Sequence, residues 1–464
     1  MAGLPIDREL EELLELGERI MSSACARGGK DFVAECVLRS GAELSVRVRK
    51  GETELVEEAG TRSAGLRVIQ GKRVATTSTS DLTEAGLERF VADAIELVGL
   101  SQEDAFAGPA DPKLLCDPKL APDLDLFDPA GGSVDAAQAI AWAKEGEAAA
   151  LSFDPRITNS EGGTFGRTAG GSALLLSSGF RATTKGSYQS LSIVPLAADV
   201  GGKNRRGYHW TARRFLADLD PAAEVGREAA RRTLRKLGAR TVPSCEVPVV
   251  FDPDAARSIL GLLAGCVMGS AIWRKSSYLV GREGTRVASD LVTVVDDPLI
   301  VRAPGSRAFD GEGLASRRNL VVEKGVLRTY LCDSYSARKL GRESTASASR
   351  GGGAGVGPST SNFVLQPAGD SNEAIVRATK QGLYVTEMMG FGFNAVTGDF
   401  SRGASGFWIE NGELAYPVSE VTISLNVDDL WQRIDAVGSD LDLRTSTAAP
   451  TLRVSKMTIA GGAP

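Results

Sequence analysis

The chain has 464 residues, 42% hydrophobic and 24% charged, with a formal net charge of −6. That length predicts two or three cored domains rather than one, and the ordinary composition excludes a disordered or fibrous chain. The acidic balance argues against nucleic acid as a partner: a phosphate backbone needs a basic patch, and the one basic stretch, Arg205–Arg214 with Arg231–Arg240, is interrupted by aromatics and, between its halves, by acids.

Leu10, Leu13, Leu14, Leu16, Ile20 and Met21 recur at helical spacing, so residues 7–27 are expected to form an amphipathic helix. The first twenty residues carry no apolar signal core. No apolar run approaches the roughly 20 residues that span a bilayer, so no membrane is expected as a partner. From Glu43 to Thr79 apolar and polar residues alternate, with glycines read as turns, which predicts about four antiparallel strands. A helix over 82–98 follows. Residues 102–133, rich in Pro, Asp and Gly, read as a linker. An alanine-rich helix over 136–151, several strands within 158–213 and a helix over 221–237 that stops at Gly238 complete this half.

The main boundary is placed at residues 239–244. The predicted fold is α+β: an N-terminal α/β region, 1–238, built of two units (about 1–105 and 125–238), then a β-rich domain, 244–464, with one buried helix. Within the latter, Arg318–Asp333 reads as a hairpin turning at Lys324–Gly325, and a short helix is expected near 334–340.

The buried helix opens with Asp252 and Pro253, an N-cap followed by proline at the first helical position. Ala255, Ile259, Leu260, Leu262, Leu263, Cys266, Val267 and Met268 cover nearly every face, so a helix over 255–269 is expected to be buried all round. A zinc peptidase helix places two histidines one turn apart with a glutamate to activate water. Between Asp254 and Trp273 there is no His and no Glu.

The six cysteines, Cys25, Cys36, Cys116, Cys245, Cys266 and Cys332, form no CxxC pair. A reducing, cytoplasmic compartment is expected. The single histidine, His209, reads as a packed imidazole on a strand. Arg350–Gly357, RGGGAGVG, lacks the Lys-Ser/Thr of a phosphate loop and is read as a flexible loop beside a groove. No G-x-S-x-G nucleophile motif occurs.

The segment Gly382–Pro417 contains VTEMMGFGFNAVTGDFSRGASGFWIENGE. It closely resembles the TldD/PmbA family, in particular its PmbA (TldE) branch. VASDLVTVVDDP (Val287–Pro298), GRESTASASRGGG (Gly341–Gly353) and VGSDLDLRTSTAAPTLRVSKMTIAG (Val437–Gly461) extend the resemblance, which is weaker before residue 240. In the TldD branch two histidines of an HExxxH helix and a late cysteine hold the metal. That cysteine would fall between Leu443 and Thr451, where this chain reads RTSTAAP. The resemblance therefore implies a metal-free, cofactor-free, non-catalytic subunit. Its implied partners are a TldD-like metallopeptidase, in a heterodimer with a homodimer as the other option, and a peptide. An independent peptidase with an unrecognised site and a homodimeric peptide-binding protein are the alternatives.

Asn394, Thr397, Gly398, Asp399, Ser401 and Arg402 are the candidates for lining a substrate groove or the subunit interface. The plainer reading of Thr397–Gly406 is a tight turn with local side-chain caps. Under the functional reading, Arg402 pairs with a carboxylate of substrate or partner.

Overall fold

The computed structural model describes residues 6–351 and 353–462. It is a mixed α+β chain, as expected. Helix α1 (Ile6–Gly28) turns Leu10, Leu13, Ile20, Met21 and Ala24 inward. Strands β1 (Phe32–Arg49), β2 (Glu52–Gln70) and β3 (Arg73–Thr79) form an antiparallel meander. The sequence predicted four strands here, and there are three. Gly60 and Gly65 fall inside the stretch read as four strands, yet both lie within β2, pairing with Ala42 and Val37, so the chain runs straight through them. Sharp turns occur at Gly51 and Gly71, both at positive φ. Helix α2 (Glu84–Leu100), capped by Thr83, closes this part.

A short helix α3 (Pro129–Gly132) precedes α4 (Ala136–Leu151), β4 (Ile157–Leu176), β5 (Arg181–Ala198), β6 (Asn204–Arg206), β7 (His209–Arg213) and α5 (Ala222–Leu234). One seven-stranded sheet, β3-β2-β1-β4-β5-β6 with β7 also on β5, runs through both N-terminal parts. Its seam is the β1–β4 ladder, from Glu35–Leu176 to Val48–Gly163. Side chains alternate across a strand, and Leu38 and Leu44 fall on the same face. Leu38 packs with α1 and α2, and Leu44 with α4 and α5, so the helix pairs cover opposite ends of one face. The other face, with Glu35, Val37 and Arg39, meets the linker and the C-terminal part.

The stretch 102–133 is not a free spacer. The Cys116 N–H donates to Gly313 O at 2.8 Å, Leu115 bridges Leu314, and Cys116 is buried with Val37 and Leu174. A linker spaced by prolines still carries backbone groups that need partners, and the C-terminal part supplies them.

The C-terminal part holds β8 (Cys245–Phe251), α6 (Pro253–Cys266) and α7 (Gly269–Trp273). Strands β9 (Val294–Asp296), β10 (Asn319–Glu323), β11 (Val326–Leu327), β14 (Phe363–Leu365) and β19 (Thr447–Ala448) make a five-stranded sheet ordered β11-β10-β9-β14-β19. The β10–β11 hairpin turns at Lys324 and Gly325, both at positive φ, as that turn requires. Helix α8 (Ser334–Lys339) stands where the short helix was expected. A second sheet contains β15 (Gln381–Met389), β16 (Asp399–Glu410), β17 (Glu413–Asn426), β18 (Ile434–Val437) and β20 (Leu452–Ala460), in the order β17-β16-β15-β8-β20-β18. An added β17–β20 pairing closes five of these strands into a small barrel. Helices α9 (Asn372–Arg377) and α10 (Val427–Gln432) cap its connections.

Two readings of this part need correction. Arg350–Gly357, read as a flexible loop beside a groove, is tied down at both ends and at Ala354, with Gly352 outside the described residues. Strands β12 (Ala348–Arg350) and β13 (Val356–Pro358) pair around it, and Ala354 is buried against Gly65 of β2. Gly65 has no side chain, which is what lets the two backbones meet: a Cβ there would lie 2.9 Å from Ala354 N. Helix α6 is not buried all round either. It stops at Cys266, and Gly261 and Gly265, one turn apart, are exposed with nothing within 4 Å of an added Cβ. The apolar residues counted on every face include these glycine-spaced gaps, which periodicity alone does not mark.

Candidate substrate groove and partner interface

The metal-binding region implied by family resemblance comprises the α6 helix and the loop 443–451. The fold does bring them together, because β19 packs against α6. The groups there are cationic and aromatic. Arg444 lies 4.8 Å over the Trp210 ring, donates to Trp210 O at 2.9 Å and pairs with Asp442 at 2.6 Å. Arg257 approaches the same ring at 5.5 Å and pairs with Asp254 at 3.2 Å. Tyr188 Oη donates to Arg444 O, tying the loop to β5.

His209, on β7 as expected, is half-buried beside this cluster. Burial, helped by Arg232 and Arg444, pushes its imidazole down to about 4. A neutral imidazole suits a metal, but the Arg232 and Arg444 guanidiniums stand close, alongside the Glu228 and Asp220 carboxylates. Cys266 is buried, with its thiol pushed up to about 11 by desolvation. Among the described residues no three His, Cys, Asp or Glu side chains converge as a metal site requires. A catalytic zinc does not fit these residues.

The six candidate residues fall into two groups. Asn394, Thr397, Gly398 and Asp399 form a closed knot. The Asn394 side chain accepts from Val396 N at 3.0 Å, Thr397 Oγ1 donates to Asp399 Oδ2 at 2.6 Å, and Asn426 Nδ2 donates to Thr397 O at 2.8 Å. Gly398, at φ 80°, sits against Asn426. Their hydrogen bonds are spent on one another. Ser401 and Arg402 instead lie on β16, between β15 and β17. The expected turn over Thr397–Gly406 is therefore a strand from Asp399 onward, and only Asn394–Gly398 turns. Of the glycines that suggested a turn, Gly406 serves close packing, since a Cβ there would sit 1.8 Å from Tyr384 O, while Gly403 meets only ordinary contacts with Met389.

Strand alternation puts Arg402 on the face of Phe400 and Ala404, at the barrel rim. Its guanidinium lies 5.8 Å from the Phe400 ring. Its Nε is buried without a hydrogen-bond partner, and no carboxylate among the described residues pairs with it. Beside it stands a feature the sequence reading passed over. The β15–β16 connection projects Met389, Phe391 and Val396, with Phe391 95% exposed. Ser401 N donates to Gly392 O at 2.9 Å, so this apolar tip is anchored next to Arg402. The signal was present as MMGFGF, apolar residues between glycines, but it was absorbed into the family motif.

The chain is an α+β protein of one large sheet and a small barrel, with no metal-ligand cluster among the described residues. Three family domains match in order: the PmbA/TldA metallopeptidase domain 1 at residues 34–98, the central domain at 129–237 and the C-terminal domain at 244–461. The metalloprotease PmbA of Escherichia coli O157:H7 is 37% identical over 446 residues, covering 96% of each chain. A TldD homologue from Haemophilus influenzae is 27% identical, over 58% of this chain and 61% of its own. A crystal structure from Bacteroides thetaiotaomicron, described as a candidate modulator of DNA gyrase, superposes with a TM-score of 0.89 at 30% identity, covering 97% of this chain and 98% of that one. The chain belongs to the PmbA/TldD metallopeptidase family, on its PmbA side. No helix among the described residues is long and apolar enough to cross a membrane.

Proposed function

We propose that this chain is a non-catalytic, metal-free subunit that pairs with a TldD-type metallopeptidase chain in peptide processing in the cytoplasm. One observation carries the reading. Helix α6 and the 443–451 loop meet, yet the groups they bring together are Arg257 and Arg444, with Gly261 and Gly265 bare on the helix, and no cluster of metal ligands lies among the described residues. The Arg402 rim and the apolar Phe391 tip are the proposed partner contact. An unpaired guanidinium beside an exposed aromatic has the make-up of an interface hot spot. The 1–238 region and the 244–464 domain would then act as a wall and a docking face around the peptide.

The test combines elemental analysis with a peptide-cleavage assay on the purified chain, with and without a TldD-type chain. The expected result is no stoichiometric zinc, and cleavage only once the second chain is added. About one zinc per chain that survives dialysis, or chelator-sensitive cleavage by this chain alone, overturns the reading.

A further inference from the structure

Strand β2 reaches well beyond its neighbour β3. Strand β3 pairs with it only from Ala64 to Gln70, while β1 follows it from Glu52 to Gln70. The outer edge of β2 from Glu52 to Ser63 therefore has no strand beside it among the described residues. At about 3.4 Å per residue, that edge is roughly 40 Å long. Every residue from Glu52 to Arg62 is exposed except the half-buried Leu55. The turn at its far end fixes which backbone groups face out. Gln70 and Arg73 close a two-residue turn at Gly71 and Lys72, and so bond to each other. N–H and C=O groups alternate between the two sides of a strand, and the register with β1 is unbroken between Leu55 and Gln70. Val56, Glu58, Gly60 and Arg62 thus turn their backbone groups outward.

Exposed edges recruit strands, and natural sheets blunt them with short strands, prolines, lysines or bulges. The stretch Glu52–Ser63 holds no proline and no lysine, but four glutamates, Glu52, Glu54, Glu57 and Glu58, against one arginine. Glu54 is shared by Arg47 and Arg49 at 3.8 and 3.9 Å, and Glu58 lies 3.3 Å from Arg167. Arg62 is taken by Glu12 at 3.4 Å. Glu52 and Glu57 pair with no cation among the described residues. As neighbours on a strand, Glu57 and Glu58 carry negative charge to both faces.

A second copy of the chain laid antiparallel on this edge would set glutamate against glutamate, which is unfavourable. A strand bearing lysine or arginine meets the opposite condition. We propose that the free edge of β2 binds an extended basic peptide as an added strand, with main-chain bonds to Val56, Glu58, Gly60 and Arg62 and its cations beside the glutamates. This site lies on the N-terminal sheet, apart from α6 and the Arg402 rim. It rests neither on the absence of a metal nor on a second subunit, so the cleavage assay above and the titration below fail independently.

The experiment is a fluorescence-anisotropy titration of the full chain against a labelled peptide of alternating lysine and threonine, threonine being favourable to extended backbone. A glutamate–threonine peptide and spermine, a cation without a peptide backbone, are the competing controls. The basic peptide is expected to bind saturably, and each control to compete about tenfold more weakly or worse than unlabelled basic peptide. Gly60→Pro removes an outward N–H from an edge strand, where proline is tolerated, and an added Cβ at Gly60 meets nothing within 4 Å. It is expected to weaken peptide binding by about tenfold or more while leaving the unfolding midpoint nearly unchanged. Glu57→Lys, at an exposed position, is expected to weaken binding as much, and carries the test if Gly60→Pro fails to fold. No saturation up to about 1 mM peptide overturns the proposal. So does equal competition by the acidic peptide or by spermine, or wild-type affinity in the folded variants. Loss of binding to a TldD-type chain in Gly60→Pro, with peptide affinity intact, assigns the edge to that chain and overturns it too.

Discussion

Arg350 donates through Nη2 to Glu35 Oε2 across 315 positions of sequence, with both side chains almost fully buried. Arg67 reaches the other oxygen of Glu35 at 2.8 Å. The three groups join the first strand to the β12–β13 hairpin, and Arg350 also holds Ala354 O at 3.0 Å. Removing one partner of a buried pair strands the other charge. Glu35→Gln is expected to lower stability by about 3–5 kcal/mol, read by denaturant unfolding. A loss under about 1 kcal/mol would mean water reaches the cluster.

The same triad predicts acid sensitivity. Burial alone would raise the Glu35 carboxyl, but Arg67 and Arg350 outweigh it and hold it below its ordinary value. A carboxylate depressed in the folded state adds stability above its unfolded pKa, about 4.3, and the contribution fades as pH falls through the folded value. The unfolding midpoint of the wild type should drop below that pH more steeply than that of Glu35→Gln. Parallel curves would count against the triad as a source of acid lability.

Arg402→Ala is expected to weaken binding of a TldD-type chain by about 2–5 kcal/mol, as loss of a buried charge pair across an interface does. The lone chain should lose little in melting temperature, since Arg402 makes no ion pair of its own. A sharply lowered melting temperature with unchanged affinity would make it a barrel residue only.

Phe391→Ser separates the apolar tip from the barrel. A side chain this exposed contributes within about 0.5 kcal/mol to folding. Affinity for the second chain should nevertheless fall tenfold or more, by about 1.4 kcal/mol, measured by titration. Unchanged affinity would show that the tip faces solvent in the assembly.

Gly261→Ala fills open space on a helix. The isolated chain should gain about 0.5–1 kcal/mol from reduced backbone entropy, visible as a higher denaturant midpoint. If the bare face of α6 is packed in the assembly, the same methyl should weaken association. A loss of stability in the isolated chain would mean the face is already covered.

Helices were legible where a stripe of apolar residues and a capping side chain coincide, as with α2 and α4. Glycine misled three times. Gly60, Gly65 and Gly406 were absorbed into long strands, and at Gly65 and Gly406 neighbouring backbone leaves no room for a Cβ, which spacing does not reveal. The candidate residues divided for a related reason. Asn394 to Asp399 satisfy one another locally, which a motif can show, while the isolation of Arg402 depends on what the rest of the barrel fails to supply.

The ladder between β1 and β4 sets a limit on how the chain can be divided. A fragment ending in the 102–133 stretch would expose a long strand edge on each product, and such edges recruit other chains. The two N-terminal family units are therefore to be expressed, truncated or recombined only together. Any exchange between relatives that carried one without the other would be expected to yield insoluble protein rather than a weaker subunit.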